Sequence, residues 1–354
     1  MNRDLKLNSV KWAEFTLNKV FPFIMRGKRL IERDRIKGNI PYYSASKENN
    51  GLTDMIENPL FIEKDKLIIS TFCNCFFVEG EFTASDEITI FGNDKLNKYN
   101  GLFISYIVKS NAIKYAFGFK AFSERLARQI VNLPIDSKGQ PYWEFMENYM
   151  KQIEEKQKQK AIKYYTDKIK DLQNNIIKHK FNLDNIEWKE FKIREVFEVS
   201  GTITTHPSQL KPNGKTPRIT CASTNNALDD TYANSPTEKG KVLTIDSATV
   251  GYVSYQENDF IATDHVEKIW IKNNKTMNRY IGLFLKQCID NAVLLKYGYG
   301  YKFSQTRIKK QIVNLPIDSK GEPHWEFMEN FMREVEYKKL NLYLDYIKKS
   351  KPNL

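Results

Sequence analysis

The chain has 354 residues, 41% of them apolar, with 55 Lys and Arg against 43 Asp and Glu, a net charge of +12. That length and composition allow two domains with cores of their own, and no run approaches the roughly 20 apolar residues of a membrane span. The basic surplus points to a polyanionic partner, because Lys and Arg displace counterions from phosphates and supply affinity independent of sequence.

In chain order, the opening MNRDLKLNSVKWAEF lacks the apolar core of a signal peptide, so a cytoplasmic location is expected. The pattern Trp12-x-x-Phe15-x-Leu17-x-x-Val20-Phe21 starts a first module. Short apolar, β-branched or aromatic runs over Val20–Ile24, Leu67–Phe72 and Glu87–Phe91 predict strands, and Leu102–Val108 predicts a helix continuing towards Tyr115. Between them lies a polar loop that includes Tyr42, Tyr43, Ser44, Lys47, Asn49 and Asn50. Asn offers a donor and an acceptor together, which matches the N6/N7 edge of adenine, and Ser serves phosphates or bases; a solvated turn reads equally well from any single residue. Arg26, Lys28 and Arg29 form a basic cluster, read equally as plain surface charge. Phe117-Gly118-Phe119-Lys120, followed by Arg125, interleaves aromatics and cations on a Gly-containing loop, a pattern that suits backbone grip and base-edge contact.

The segment QIVNLPIDSKGQPYWEFMEN (129–148) then closes the module and opens a helix, with Pro141 expected at its first position. Met146, Met150 and Ile153, then Ile162, Tyr165, Ile169, Leu172 and Ile176, follow three-four spacing, a coiled-coil seam interrupted by the polar stretch Glu154–Lys160. With no Gly or Pro before Phe181, this predicts a rod of about 40 residues, roughly 60 Å.

The chain then repeats itself. QIVNLPIDSKGEPHWEFMEN at 311–330 differs from the first copy at two of twenty positions, Gln140 against Glu322 and Tyr142 against His324. A spacing of 182 residues (from 129 to 311) means a duplicated domain rather than a solenoid. Trp188-x-x-Phe191-x-Ile193-x-x-Val196-Phe197 mirrors the opening, and Ala262-Thr263-Asp264 echoes Ala84-Ser85-Asp86. Strands are predicted over Lys241–Ile245, Gly251–Tyr255 and Lys268–Ile271, and a helix from Arg279. The matching polar loop holds Arg218, Thr220, Ser223, Thr224, Asn225 and Asn226, and the matching aromatic loop holds Tyr299, Lys302 and Arg307. Met328, Met332, Val335 and Leu342 begin a second seam, and Tyr346 extends it. Neither helix buries its stripe alone; the two pack together, antiparallel if the second module folds back, or each packs onto its own domain. Matched ends around divergent centres suit a scaffold whose centres choose different ligands.

The four cysteines, Cys73, Cys75, Cys221 and Cys288, have no metal-ligand spacing and read as reduced thiols, so no metal is expected. Asn58-Pro59-Leu60-Phe61 lacks the second Pro of an amino-methyltransferase loop. Gly298-x-Gly300 follows a helix rather than a strand, and the chain contains no Gly-x-x-x-x-Gly-Lys-Ser/Thr phosphate loop. Nothing here reads as an enzyme.

The duplicated Trp-x-x-Phe opening, the closing Ile-Val-Asn-Leu-Pro-Ile, the Trp-Glu-Phe-Met-Glu run and the helix after each copy resemble the specificity subunit of type I restriction–modification systems, and the related type IIB subunits. The resemblance spans essentially the whole chain. It implies an α+β fold with two duplicated target-recognition domains, 1–135 and 185–317. The helices at 136–184 and 318–354 would form an antiparallel coiled coil. It implies double-stranded DNA with a bipartite site as ligand, two adenine methyltransferase subunits docked on the helices, and a translocating nuclease subunit in type I systems. S-adenosylmethionine and the catalytic residues would lie on those partners, leaving no cofactor on this chain. The second helix is the shorter, which would make the coiled coil asymmetric. The competing reading is a scaffold or anti-restriction decoy that binds methyltransferase without reading DNA; the basic charge and the polar loops in both modules argue against it.

Overall fold

The structure, a computed structural model, describes residues 4–110, 120–175, 181–273, 275–298 and 300–349. The chain divides within one helix into two compact units, Met1–Ile162 and Lys163–Ser350.

In the first unit, β1 (Lys11–Thr16) leads into a single helical turn, α1 (Leu17–Val20), and then β2 (Phe23–Arg26), β3 (Lys37–Tyr43), β4 (Leu52–Ile56), β5 (Glu63–Ser70), β6 (Cys75–Ala84) and β7 (Ile88–Gly92). Helices α2 (Lys98–Ser110) and α3 (Ser123–Ala127), strand β8 (Ile130–Ile135) and the long helix α4 (Trp143–Asn175) follow. Six strands form one sheet in the order β2-β7-β5-β6-β3-β4, and β1 pairs antiparallel with β8 in a separate ribbon. The chain ends of the module thus meet across that ribbon, with Trp12 opposite Pro134. Proline lacks a ladder donor, and a two-stranded ribbon is where it is tolerated.

The second unit repeats the plan. It runs β9 (Trp188–Lys192), α5 (Ile193–Val196), β10 (Phe197–Gly201), β11 (Thr216–Ile219), β12 (Leu228–Tyr232), β13 (Val242–Asp246), β14 (Val253–Gln256), β15 (Ile261–Ala262), β16 (Val266–Ile271), α6 (Arg279–Val293), α7 (Gln305–Lys310), β17 (Ile312–Pro316) and α8 (Trp325–Lys349). Strands β10-β16-β13-β14 form the sheet, β11 pairs with β12 and β15, and β9 pairs with β17, placing Trp188 opposite Pro316. The fold is the expected mixture of α and β, twice over.

The repeated sequence has a physical reason. Trp12 stacks on Phe103 of α2 and Trp188 on Phe284 of α6, so each opening Trp covers the equivalent helix of its module. Asp136 and Asp318 each accept two backbone N–H groups through Oδ1, from Lys138 and Gln140 at 2.8 and 2.9 Å and from Lys320 and Glu322 at 2.8 and 3.1 Å. Gly139 and Gly321 close these turns at φ of 73° and 76°, where a side chain is strained. Asp, Lys, Gly and their neighbours are therefore fixed by one turn used twice.

Several expected boundaries shift. Val20 and Phe21 belong to a helical turn and its cap rather than to a strand. Pro141 is not the first helical residue: Ile135 bridges to Pro141 and α4 begins at Trp143. The 33 residues of α4 give a helix of about 50 Å, with 176–180, and so Ile176 of the expected seam, outside the described residues.

The seam divides into two parts. Met146 is fully buried in the core of the first unit with Met150 against it, and Met328 and Met332 do the same in the second. These first turns bury their apolar face on their own module, while Ile153, Ile162 and Val335 are half-buried. In the second unit the last turns of α4 run antiparallel to α8. Tyr165 meets Tyr343 edge-on, Lys168 bonds Glu336 at 2.6 Å, and Gln173 bonds the Tyr337 hydroxyl at 2.8 Å, with Ile169 and Leu172 buried. Leu342 is 66% exposed, against its expected seam role, and so is Tyr346; Leu344 and Ile347 are the buried positions of these turns. At about 100° per residue, Leu344 and Ile347 lie on a different face of α8 from Met328, Met332 and Val335, so the face that the first turns bury does not continue to the end of the helix.

Candidate nucleic-acid interface

In each unit the polar loop grows out of a strand. Tyr42 and Tyr43 end β3, and Arg218 precedes the last residue of β11. The loop closes identically in both: Ser44 N–H donates to Gly51 O and Thr220 N–H to Ala227 O, each at 2.9 Å. Asn49, Asn50, Asn225 and Asn226 all lie at φ between 48° and 54°. Asn tolerates this left-handed region better than other side chains, so the paired asparagines answer first to the backbone. By this register Ser44 corresponds to Thr220.

A second turn lies beside the first. Ser85 N–H donates to Tyr43 O at 2.8 Å, and Thr263 N–H to Ile219 O at 3.0 Å. The third segment approaches this turn from the other side: Lys120 pairs with Glu87 at 2.7 Å, and Gln305 donates to Glu267 at 2.9 Å. Arg125 and Arg307 brace their own segments, donating to Lys120 O at 2.8 Å and Lys302 O at 2.7 Å. Arg307 also stacks over the Tyr301 ring, 4.0 Å from its centroid. Each unit thus brings three connections together through matched backbone hydrogen bonds.

The structure sorts the expected contact residues. Lys47, Asn49, Asn50, Ser223, Thr224, Asn225, Asn226 and Arg125 are exposed, and Tyr43, Ser44, Thr220, Lys120, Lys302 and Arg307 are half-buried. Tyr42 and Arg218 are corrected. Tyr42 is 2% exposed, its hydroxyl donates to Leu30 O, and Arg35 stacks over its ring at 4.3 Å. Arg218 is 9% exposed and paired with Asp229 at 2.7 Å. Both shape the sheet rather than face solvent. Asn225 and Asn226 donate their amides internally, to Leu228 O at 3.2 Å and Tyr255 O at 2.9 Å. An adenine edge would therefore have to displace those bonds. Tyr299 lies outside the described residues, as do Phe117, Gly118 and Phe119.

Two features were missed from the sequence. The carboxylates of the second turn, Asp86 and Glu87, neutralise neighbouring cations: Arg26 and Arg29 both converge on Asp86, and Lys120 is held by Glu87. The doublet Ser-Asp in the echo Ala84-Ser85-Asp86 was the available signal. The second feature is the half-buried thiol of Cys221, within 3.4 Å of His265 O. Burial, then the nearby Asp246, pushes it up to about 12, so it stays protonated at neutral pH.

Among the described residues no group of three or more His, Cys, Asp or Glu is arranged to hold a metal ion, and no helix is long and apolar enough to cross a membrane. None of the four cysteines forms a disulfide.

Comparison with known proteins agrees with this arrangement. The family described as the type I restriction modification DNA specificity domain matches twice, over residues 9–164 and 185–343. The type II restriction enzyme specificity subunit S.BcgI of Heyndrickxia coagulans is 27% identical over 345 residues, covering 94% of this chain and 96% of that one. A type I restriction-modification S subunit from M. genitalium shares the fold at a TM-score of 0.50 and 11% identity, covering 98% of this chain and 96% of that one. The two copies of the module, each presenting a three-segment surface on a common frame, are the two domains of that match, and the chain belongs to the family of type I restriction-modification DNA specificity subunits, proteins that select DNA sequence and are not themselves catalytic.

Proposed function

We propose that each unit reads one half of a bipartite duplex site through its three-segment surface, and that α4 and α8 fix the separation of the halves. The helices also dock two adenine methyltransferase subunits, which carry S-adenosylmethionine and the catalytic residues, so this chain needs no cofactor; in a type I arrangement a translocating restriction subunit joins them. The observation that carries this reading is the pair of loops Ser44–Gly51 and Thr220–Ala227, which share one backbone path and the two left-handed asparagines but exchange the exposed side chains before them, Lys47 and Glu48 against Ser223 and Thr224. A conserved frame with exchanged side chains is what independent reading of two half-sites requires. Phosphate contacts from the basic surface supply affinity, and the side chains of the loops supply choice.

The test is a mobility shift of duplex DNA by the chain in complex with its methyltransferase, across a salt series. The proposal predicts a shift that weakens steeply with salt and selects a split motif from a randomised pool. A shift without sequence preference, or none, would contradict it and leave the helices as a methyltransferase scaffold.

A further inference from the structure

The two units differ where the chain leaves the first strand of the sheet. In the first unit this segment is Arg26-Gly27-Lys28-Arg29. Gly27 N–H donates to Ile88 O at 2.9 Å and Lys28 N–H to Ala84 O at 3.0 Å, which lays the segment against the β6–β7 turn. A Cβ at Gly27 would sit 2.2 Å from Ser85 O, so only glycine permits this approach.

The approach brings both arginines to Asp86. Arg26 donates Nε–H to Asp86 O at 2.7 Å and lies 3.8 Å from its carboxylate, with the guanidinium over the Phe122 ring. Arg29 donates Nε–H to Asp86 Oδ1 at 2.9 Å, and its side chain is 63% exposed. Asp86 raises the pKa of Arg29 by that hydrogen bond and by its charge. With Nε bonded to Asp86, the terminal N–H groups of Arg29 form the opposite edge of the guanidinium plane, on a side chain that is mostly exposed.

A guanidinium fixed at Nε by a carboxylate, with its other edge free to accept a base, is preorganised for the O6 and N7 acceptors of guanine in the major groove. Less rotamer freedom is lost on binding than for an unbraced arginine. Lysine carries the same charge without the planar fork, so it cannot replace such a contact with guanine.

The second unit keeps the carboxylate, Asp264, and loses the arginines. Its corresponding segment is Gly201-Thr202-Ile203-Thr204, and Thr202 donates its hydroxyl to Val266 O at 2.9 Å where Gly27 stands in the first unit. Asp264 sits instead 3.7 Å from His265. The arginine pair therefore belongs to one half-site only.

We infer that Arg29, braced by Asp86 and seconded by Arg26, reads guanine in the half-site recognised by the first unit. This rests on the proposal that each unit reads one half-site. The test uses the full chain with its methyltransferase, and the readout is the motif carrying modified adenine in genomic DNA. The unaltered chain must first give a split motif; without one, the two-half reading itself fails and the arginine inference falls with it. Given that motif, R29A and the conservative R29K should relax one or two guanine positions in one half, with discrimination there falling on the order of ten- to a hundred-fold, while the other half stays intact. D86N should relax the same positions less, since it loosens the brace without removing the reader. Loss of guanine preference in the matching half with R29K, which retains charge, separates base reading from phosphate attraction. Motifs unchanged in R29A and R29K, relaxation spread evenly over both halves, or a first half-site without guanine would overturn the inference and leave the half-site reading standing.

Discussion

Replacing Glu336 by alanine should loosen the second unit far more than the matching replacement loosens the first. The Glu336 side chain is 14% exposed and accepts from three side chains on two helices: Lys168 of α4 at 2.6 Å, and the Tyr280 hydroxyl and Arg279 of α6 at 2.8 and 3.2 Å. Burial works to raise its pKa, and the bonds from Lys168 and Tyr280 with the charge of Arg279 outweigh it, so the carboxylate is held below the usual range. Tyr280 is pushed the other way, up to about 12, by burial and then by Glu336. A hydrogen bond to a charged group contributes about 1.5–3 kcal/mol, but Lys168 and Arg279 rehydrate once freed, so their shares are small. The expected loss is about 2–3 kcal/mol. The first unit repeats only part of this, with the Tyr99 hydroxyl donating to the more exposed Glu154 at 2.8 Å, and about 0.5–1.5 kcal/mol is expected there. Hydrogen exchange followed by peptide mass is the assay, because a two-unit chain gives no single unfolding free energy. Amides in α6 and α8 should exchange about 30- to 150-fold faster in Glu336→Ala, as 1.4 kcal/mol is tenfold. Unchanged exchange there, or equal effects from Glu336→Ala and Glu154→Ala, would refute the reasoning.

Three further outcomes are expected. Asp136 and Asp318 are depressed by the backbone N–H groups they accept, so their contribution is present above the unfolded carboxylate range and lost as pH falls through the lowered folded values; Asp136→Ala and Asp318→Ala should flatten the acid limb of the unfolding profile, and an unaltered limb would show the turns to be incidental. Lys120→Ala or Lys302→Ala should weaken DNA binding roughly uniformly across sequences, with the Lys120 effect blunted by its pairing to Glu87; a changed preference at constant affinity would contradict a phosphate role. Inserting seven residues within Glu155–Lys160 adds about 10 Å of helix and keeps the rotational phase, which should lengthen the spacer of the methylated motif by about three base pairs; an unaltered spacer would end the ruler proposal.

The duplication, the α+β class and the closing turns were legible in the sequence because they rest on local chemistry. Asp136 and Gly139 specify their turn within five residues, and the copy at Asp318 and Gly321 confirms it. The ribbons β1–β8 and β9–β17 were not legible, since each pairs segments more than a hundred residues apart and no local pattern records a partner. Tyr42 and Arg218 misled for a related reason: both sit among polar neighbours, yet their strand register turns them inward, onto Leu30 and Asp229. Asn49, Asn50, Asn225 and Asn226 looked like base readers by type, whereas their left-handed backbone accounts for them independently of any ligand. Arg26 and Arg29 read as surface charge because their shared partner, Asp86, lies about sixty residues away.

The central claim, that this chain chooses a two-part DNA site for a methyltransferase, is tested most directly by mapping modified adenines across a genome that carries the gene beside its methyltransferase, with and without the chain. The account predicts a bipartite motif, two short specified halves around an unspecified spacer, that disappears when the chain is deleted. Methylation that persists unchanged, or that lacks a split motif, would contradict it.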